Sequence, residues 1–261
     1  MAPPQNSRQA KISAAAPAQG RNVKGLLAVI IAVVVVAAAF FMLFFRPGSN
    51  EPSALPSGGS SAPNGEVKLP KGVSGKDAPV VATNGGVLKE GIPTLQIFED
   101  FQCPWCQKFD QMFGPKIGEL GAAGKINVVY YQKTFLDDSL RNNSSTKAAN
   151  AALCASDAGK FFQVHEKIFA KQPKDEGKGY SDEDIQKSAV EGGLSGEQLE
   201  TWKTCVAQET YKPYLKNLEE YTSKTMGIRS TPSYYVNSKK IDTNGISNAD
   251  EFEKKMFETA K

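Results

Sequence analysis

Histidine is almost missing from this 261-residue sequence, in which His165 is the single example. That excludes His-rich metal sites and leaves a histidine-based triad with one candidate. Cysteine is sparse as well. There are four, and none precedes Cys103, so an N-terminal lipid-modified cysteine is excluded. Four are too few for a disulfide-dense mini-protein, and 40% hydrophobic residues exclude collagen and a wholly disordered chain. No internal repeat is visible. The net charge is only +3, from 31 basic and 28 acidic residues, too weak to argue for nucleic acid. The length allows one or two domains with a real core.

Acidic residues are absent from positions 1–46, which carry Arg8, Lys11, Arg21, Lys24 and Arg46. The remainder holds 26 basic against 28 acidic residues, a net of −2. An unbroken apolar run, Gly25 to Phe45, lies inside the basic end. At 1.5 Å per residue its 21 residues span roughly 31 Å, close to the hydrocarbon thickness of a bilayer. A cleaved signal peptide has a shorter apolar region and a small-residue cleavage site. Here Ala37-Ala38-Ala39 is followed by six bulky residues, and Phe44-Phe45-Arg46-Pro47 is a poor cleavage context. A buried core helix would show a polar face, and this run shows none. The run reads as an uncleaved transmembrane anchor after a cytoplasmic tail, 1–24. The excess of basic residues before the span keeps the N-terminus in the cytoplasm and exports the rest. The C-terminal part then sits where disulfides persist.

Residues 46–76 are rich in Pro, Gly and Ser and read as a disordered tether. The folded domain is expected at 77–261. Ala78–Gly91 reads as a strand or hairpin turning at Asn84-Gly85-Gly86, and Thr94–Phe98 as a short strand. A helix should run from Cys103 or Pro104 to about Leu120, followed by a strand over Ile126–Tyr131. Helices are predicted over Ser144–Asp157, Lys160–Lys171, Asp182–Glu191, Gly196–Gln208 and Tyr211–Met226. Ser233–Asn237 and Lys239–Asp242 should pair around Asn237-Ser238, before a closing helix over 248–260 capped by Asn248. Strands at both ends of a helical block suggest one α/β sheet domain with a helical subdomain inserted at about 140–226.

The chemistry-bearing motif is Cys103-Pro104-Trp105-Cys106, after a strand and at a helix start. The spacing puts both sulfurs on one face, one turn apart. At a helix N-terminus, unpaired N–H groups and the dipole favour an anion, which lowers the first thiol's pKa. Pro104 suits the first turn, where its missing N–H had no partner. A zinc ribbon would need a second ligand pair of similar spacing, whereas Cys154 and Cys205 lie 51 residues apart. A purely structural CxxC disulfide closes too small a loop to be a useful staple. A redox-active dithiol fits the context better than either.

The sequence resembles the DsbA-like thiol:disulfide oxidoreductases, which have a thioredoxin fold with an inserted helical domain. Phe98–Cys106 (FEDFQCPWC) is similar to that family's active-site strand and turn. Ala148–Phe169 is similar to its insert signature, and Met226–Asn237 (MGIRSTPSYYVN) to its cis-proline strand. The likeness covers roughly Ala78 to Lys261, and the second cysteine pair resembles exported actinobacterial members. The resemblance implies that Cys103 is the exposed attacking sulfur and Cys106 the buried resolving one. It implies that Thr231 and a cis-Pro232 form a peptide-docking edge, with Pro104 and Trp105 tuning the site. Many members carry His where this chain has Trp105, and that missing positive charge predicts a less oxidising disulfide. Many also carry an acid six residues before the first cysteine, where Ile97 stands here. Glu99 and Asp100 are near but off register.

In an oxidising compartment the remaining cysteines, Cys154 and Cys205, are expected to form a structural disulfide; a second redox relay and free core thiols are the alternatives. His165, beside Phe161, Phe162 and Phe169, reads as a packing histidine rather than a ligand or acid–base group. Asn142-Asn143-Ser144 matches a glycosylation sequon but reads as a loop and cap. The expected function is a monomeric, membrane-anchored, extracytoplasmic dithiol oxidase acting on unfolded exported proteins. A quinone-linked membrane protein of the DsbB or vitamin-K-epoxide-reductase type would reoxidise it. No cofactor, metal or nucleic acid is expected. An exported reductase or isomerase, and a non-enzymatic tethered binding or chaperone module, are the competing readings.

Overall fold

The computed structural model describes residues 67–261. The expected tail, the apolar span 25–45 and residues 46–66 of the expected tether lie outside them. Among the described residues no helix is long and apolar enough to cross a membrane.

A five-stranded sheet carries the domain: β1 (Val80–Val81), β2 (Thr94–Glu99), β3 (Asn127–Gln132), β4 (Ser233–Val236) and β5 (Lys239–Lys240), in spatial order β1-β3-β2-β4-β5. Only β2 and β3 run parallel. A parallel pair needs a long crossover, and α1 (Pro104–Ala122) supplies it. Every residue of β3 is buried, as expected for a strand covered on both faces. The register places Ile97 beside Tyr130 on one side and Tyr234 on the other. Tyr234 packs against Phe113 of α1 and Phe252 of the closing helix α8 (Ala249–Ala260). Tyr130 packs against Phe161. On the opposite face Phe98 stacks on Tyr131 at 4.3 Å.

Between β3 and β4 come α2 (Leu136–Leu140), α3 (Ser144–Ser156), α4 (Phe161–Ala170), α5 (Asp182–Glu191), α6 (Gly196–Ala207) and α7 (Lys212–Glu220). The insert therefore begins slightly before the expected position 140. Ala148, Ala149, Ala151, Ala152 and Ala155 of α3 are all buried, so neighbouring helices can approach closely. Cys154 on α3 and Cys205 on α6 are joined in a disulfide with Cα atoms 5.9 Å apart.

Four sequence expectations change. Residues 67–76, read as tether, belong to the fold: Val67, Leu69 and Val73 pack on the core, and the Gly72 carbonyl accepts from Val81 N–H at 2.9 Å. The Ala78–Gly91 segment, expected as a strand or hairpin, is a strand of only two residues, Val80–Val81, followed by a loop. The side chain of Asn127 holds that loop by accepting from Lys89 N–H and donating to Lys89 O, both at 2.9 Å. It thereby replaces a strand's ladder bonds. The last insert helix does not run evenly to Met226. It widens into a π-turn over Tyr221–Thr225, where the Thr222 hydroxyl donates to Leu218 O at 2.7 Å, a back-bond that loosens a helix. β5 is only two residues long. Its hairpin turns at Asn237 (φ 48°) and Ser238 (φ 65°), the paired positive φ values that a two-residue turn of this hand requires.

Candidate functional site

The CxxC motif closes the carboxyl end of β2. Cys103 caps α1 with extended backbone (φ −77°, ψ 117°), and Pro104 occupies the first turn. The Cys103 N–H donates to Asp100 O at 2.9 Å, and its carbonyl accepts from Cys106 and Gln107 N–H. Cys103 and Cys106 are free thiols. Cys106 is 2% exposed. Cys103 is not the open sulfur expected from sequence, because it is only 7% exposed. The Thr231-Pro232 segment covers it: that peptide bond is cis, and the Thr231 carbonyl lies 3.5 Å from Cys103 Sγ. Trp105, at 58% exposed, stands out from the rim with Lys108 Nζ 4.7 Å from its ring centroid. Cys154 and Cys205 belong to the insert helices and not to this site.

The two thiols differ electrostatically. The Cys103 thiol is lowered to about 6, chiefly by the hydrogen bond from the Cys106 thiol. Burial opposes this, and the Cys106 and Trp105 N–H groups and the Thr231 side chain add to it. Cys106 is raised well above the ordinary thiol value by burial, by its bond to Cys103 and by the charges of Cys103 and Glu99. One sulfur is held as a thiolate and the other as its proton donor. That asymmetry suits attack by the first and resolution by the second.

Beneath the dithiol lies a polar layer that sequence reasoning saw only in pieces. Glu99 and Asp100 point to different partners. The Asp100 carboxylate accepts from Gln102 N–H (2.9 Å), the Ser145 hydroxyl (2.5 Å) and Leu136 N–H (3.2 Å). Burial still pushes it up to about 7. It therefore ties the active-site loop to the insert. Glu99 instead accepts from Gln132 Nε2 at 2.8 Å and pairs with His165 Nε2. His165 is fully buried among Phe101, Tyr130, Phe161 and Phe169. The expected packing histidine is thus also half of a buried ion pair. Burial pulls its pKa down, but Glu99, then Asp110 and Glu166, more than offset that and hold it raised.

Asp110 and Gln102 escaped the sequence reading. Asp110 stands four residues after Cys106, on the stripe that continues with Phe113 and Ile117, and an acid on a core-facing stripe was a readable signal. Gln102 donates to Asp137 and Ser145 at 2.9 Å and to Asn142 at 2.8 Å. Asn142 also accepts from Ser144 N–H at 3.0 Å, so the sequon asparagine caps a loop.

A family model described as Thioredoxin matches residues 89–255, more than half of the sequence. The chain belongs to the thioredoxin family. Its long helical insert lies between β3 and β4 of the sheet. The chain is similar to the Bacillus subtilis "Disulfide bond formation protein D", at 29% identity over 158 residues, covering 57% of this chain and 64% of that protein. The match thus spans slightly less than two thirds of that relative. Two solved structures share the fold. BdbD from Bacillus subtilis aligns with TM-score 0.56 and 24% identity over 75% of this chain and 99% of that one. Mycobacterium tuberculosis DsbA aligns with TM-score 0.55 and 22% identity over 70% and 92%. This thioredoxin-family chain keeps the CxxC at the helix start and the cis-proline opposite it. Glu99 and His165 supply the buried charge beneath the dithiol.

Proposed function

We propose that this protein is an exported thiol:disulfide oxidoreductase working as a dithiol oxidase through a Cys103–Cys106 disulfide. The observation that carries the reading is the unequal pair of thiols: Cys103 lowered to about 6 beside a fully protonated Cys106. A stabilised Cys103 thiolate favours the reduced enzyme and so makes the disulfide a stronger oxidant. In the proposed step a substrate thiolate attacks Cys103 Sγ, the Cys103–Cys106 bond breaks, and Cys106 leaves as a thiolate and takes up a proton. A second substrate thiolate then attacks the substrate sulfur of the mixed disulfide. The substrate leaves oxidised by two electrons and Cys103 leaves as a thiolate.

The Thr231–Pro232 edge would pair with the backbone of an extended substrate, and exposed Trp105 would offer an apolar contact. Residues 25–45 would anchor the protein with this domain outside the cytoplasm. A quinone-linked membrane protein of the DsbB or vitamin-K-epoxide-reductase type would restore the disulfide. The Cys154–Cys205 disulfide would hold the insert. The equilibrium potential against glutathione tests the direction of electron flow. A value well below about −220 mV would turn the reading toward a reductase. Exchange of Cys103 for Ala leaving function intact would turn it toward a binding module. Cys106→Ala should trap client proteins as mixed disulfides.

A further inference from the structure

Each turnover moves a proton onto or off Cys106, which is walled from water. Two side chains of opposite charge lie beneath it. Glu99 and His165 form an ion pair through Glu99 Oε1 and His165 Nε2, and both are buried. The imidazole's other nitrogen, Nδ1, has no hydrogen-bond partner among the described residues. It faces Asp110 Oδ1 at 3.8 Å. A buried polar nitrogen left unpaired is costly unless it serves a purpose. Asp110 in turn borders Gly114, where an added Cβ would lie 3.1 Å from Asp110 Oδ1 and 3.8 Å from Glu166 Oε1. Glu166 is only half-buried. A line of titratable groups therefore runs from below the dithiol to the edge of the domain: Glu99, His165, Asp110, Glu166.

We infer that His165 is a proton relay, connecting Glu99 under Cys106 to Asp110 and the surface. The inference rests on the oxidoreductase reading above. When Cys106 gives up its thiol proton to resolve a mixed disulfide, Glu99 accepts it. His165 releases its Nδ1 proton to Asp110 and keeps its Nε2 proton, bonded to Glu99. The pair passes from charged to neutral, with the Cys106 proton on Glu99 and the imidazole proton on Asp110. The reverse sequence protonates Cys106 when it leaves as a thiolate. Asp110 is suited to the exchange, since burial, against the pull of His165, holds it up to about 7.

Other groups facing this line are accounted for. Tyr130 on β3, Tyr234 on β4 and Tyr180 before α5 are each raised well above the ordinary tyrosine value by burial, so all stay neutral. Gln132 on β3 donates to Glu99 and carries no charge. Cys103 bears its own thiolate, hydrogen-bonded by Cys106.

The relay is testable because the protein has one histidine. The imidazole nitrogen resonances of the oxidised and reduced protein should titrate at different pH values. Resolution of a Cys103–glutathione mixed disulfide by Cys106, followed by stopped flow, should slow at least about tenfold in Asp110→Asn at pH 7. That loss should shrink as pH rises, while alkylation of Cys103 keeps its wild-type pH midpoint. Imidazole signals that are identical in both redox states, or a wild-type pH profile in a folded Asp110→Asn, would overturn the relay. Should the variant not fold, the wild-type resonances decide. Failure of Cys103 itself to exchange with glutathione would instead overturn the oxidoreductase reading.

Discussion

The depressed Cys103 thiol has a thermodynamic consequence that does not depend on finding a client. In the unfolded reduced chain the thiol has its ordinary value, 9.0, and in the fold it is lowered to about 6. A group whose folded pKa is depressed contributes stability that is complete above the unfolded value and is lost as pH falls through the folded one. In the oxidised protein Cys103 does not titrate, so the effect belongs to the reduced form alone. The burial-raised carboxylate Asp100 is present in both forms and cancels in the difference. Cys106, raised rather than lowered, is protonated in both folded and unfolded chains below about pH 8 and adds nothing there.

The reduced form should therefore gain on the oxidised form by about 1.4 kcal/mol at pH 7, and by about 2.7 kcal/mol at pH 8, relative to pH 5. These are upper figures, because the rim of the site is partly hydrated. For a domain of this size they correspond to roughly 3–6 °C in Tm at pH 7. Thermal unfolding of both redox forms between pH 5 and 8 measures the difference directly. At pH 7 alkylation should find Cys103 about nine tenths thiolate, where an ordinary thiol would be about one per cent. A Tm difference that does not change with pH, together with an alkylation midpoint near 9, would refute the reasoning. Cys106→Ala removes the largest contribution and should move the midpoint upward.

Removing the insert disulfide with Cys154→Ala/Cys205→Ala opens a loop of 51 residues and should cost at most about 4 kcal/mol in denaturant unfolding. Exchange kinetics at Cys103 should change far less than stability. Gly192→Ala would put a Cβ 2.5 Å from Val164 Cγ2 and 2.9 Å from Val164 Cα. Because backbone cannot give way there, a loss of about 1–3 kcal/mol is expected in the same assay. Trp105→Ala should leave Tm unchanged, since the ring is exposed, but raise KM for an unfolded dithiol substrate several-fold. An unchanged KM would remove Trp105 from the docking surface.

The parts of the fold legible in sequence were those set by neighbours along the chain. The CPWC motif needs only a strand before it and a helix after it, and both fall where periodicity puts them. Asn237-Ser238 marks its own turn. Features set by distant residues were not legible. The loop at 87–91 is held by Asn127 from another strand, and the partner of His165 is Glu99, 66 residues earlier. The π-turn at Tyr221–Thr225 depends on Lys133, whose Nζ donates to Thr222 and Ser223 at 2.7 Å and to Glu219 at 2.8 Å. No local pattern reports that contact. The tether was overextended for the opposite reason: its Pro, Gly and Ser content masked Val67, Leu69 and Val73, three apolar residues with a core to bury against.

The polar layer also explains why the insert and the thioredoxin sheet should behave as one redox unit. The loop that presents Cys103 is held largely by insert residues. Tyr180 donates to the Phe101 carbonyl at 2.8 Å, and Gln172 donates to the Phe101 and Cys103 carbonyls at 2.6 and 3.1 Å. Ser145 and Leu136 donate to Asp100. The Cys103 carbonyl belongs to the first turn of α1, whose N–H groups stabilise the thiolate. Loosening the insert would let that turn move relative to the sulfur and weaken hydrogen bonds whose strength depends on geometry. A disulfide remote from the chemistry, between α3 and α6, can therefore support the Cys103 thiolate only through the rigidity of the helices that carry these donors. Loss of that disulfide should raise the Cys103 midpoint only under conditions in which the insert itself begins to open.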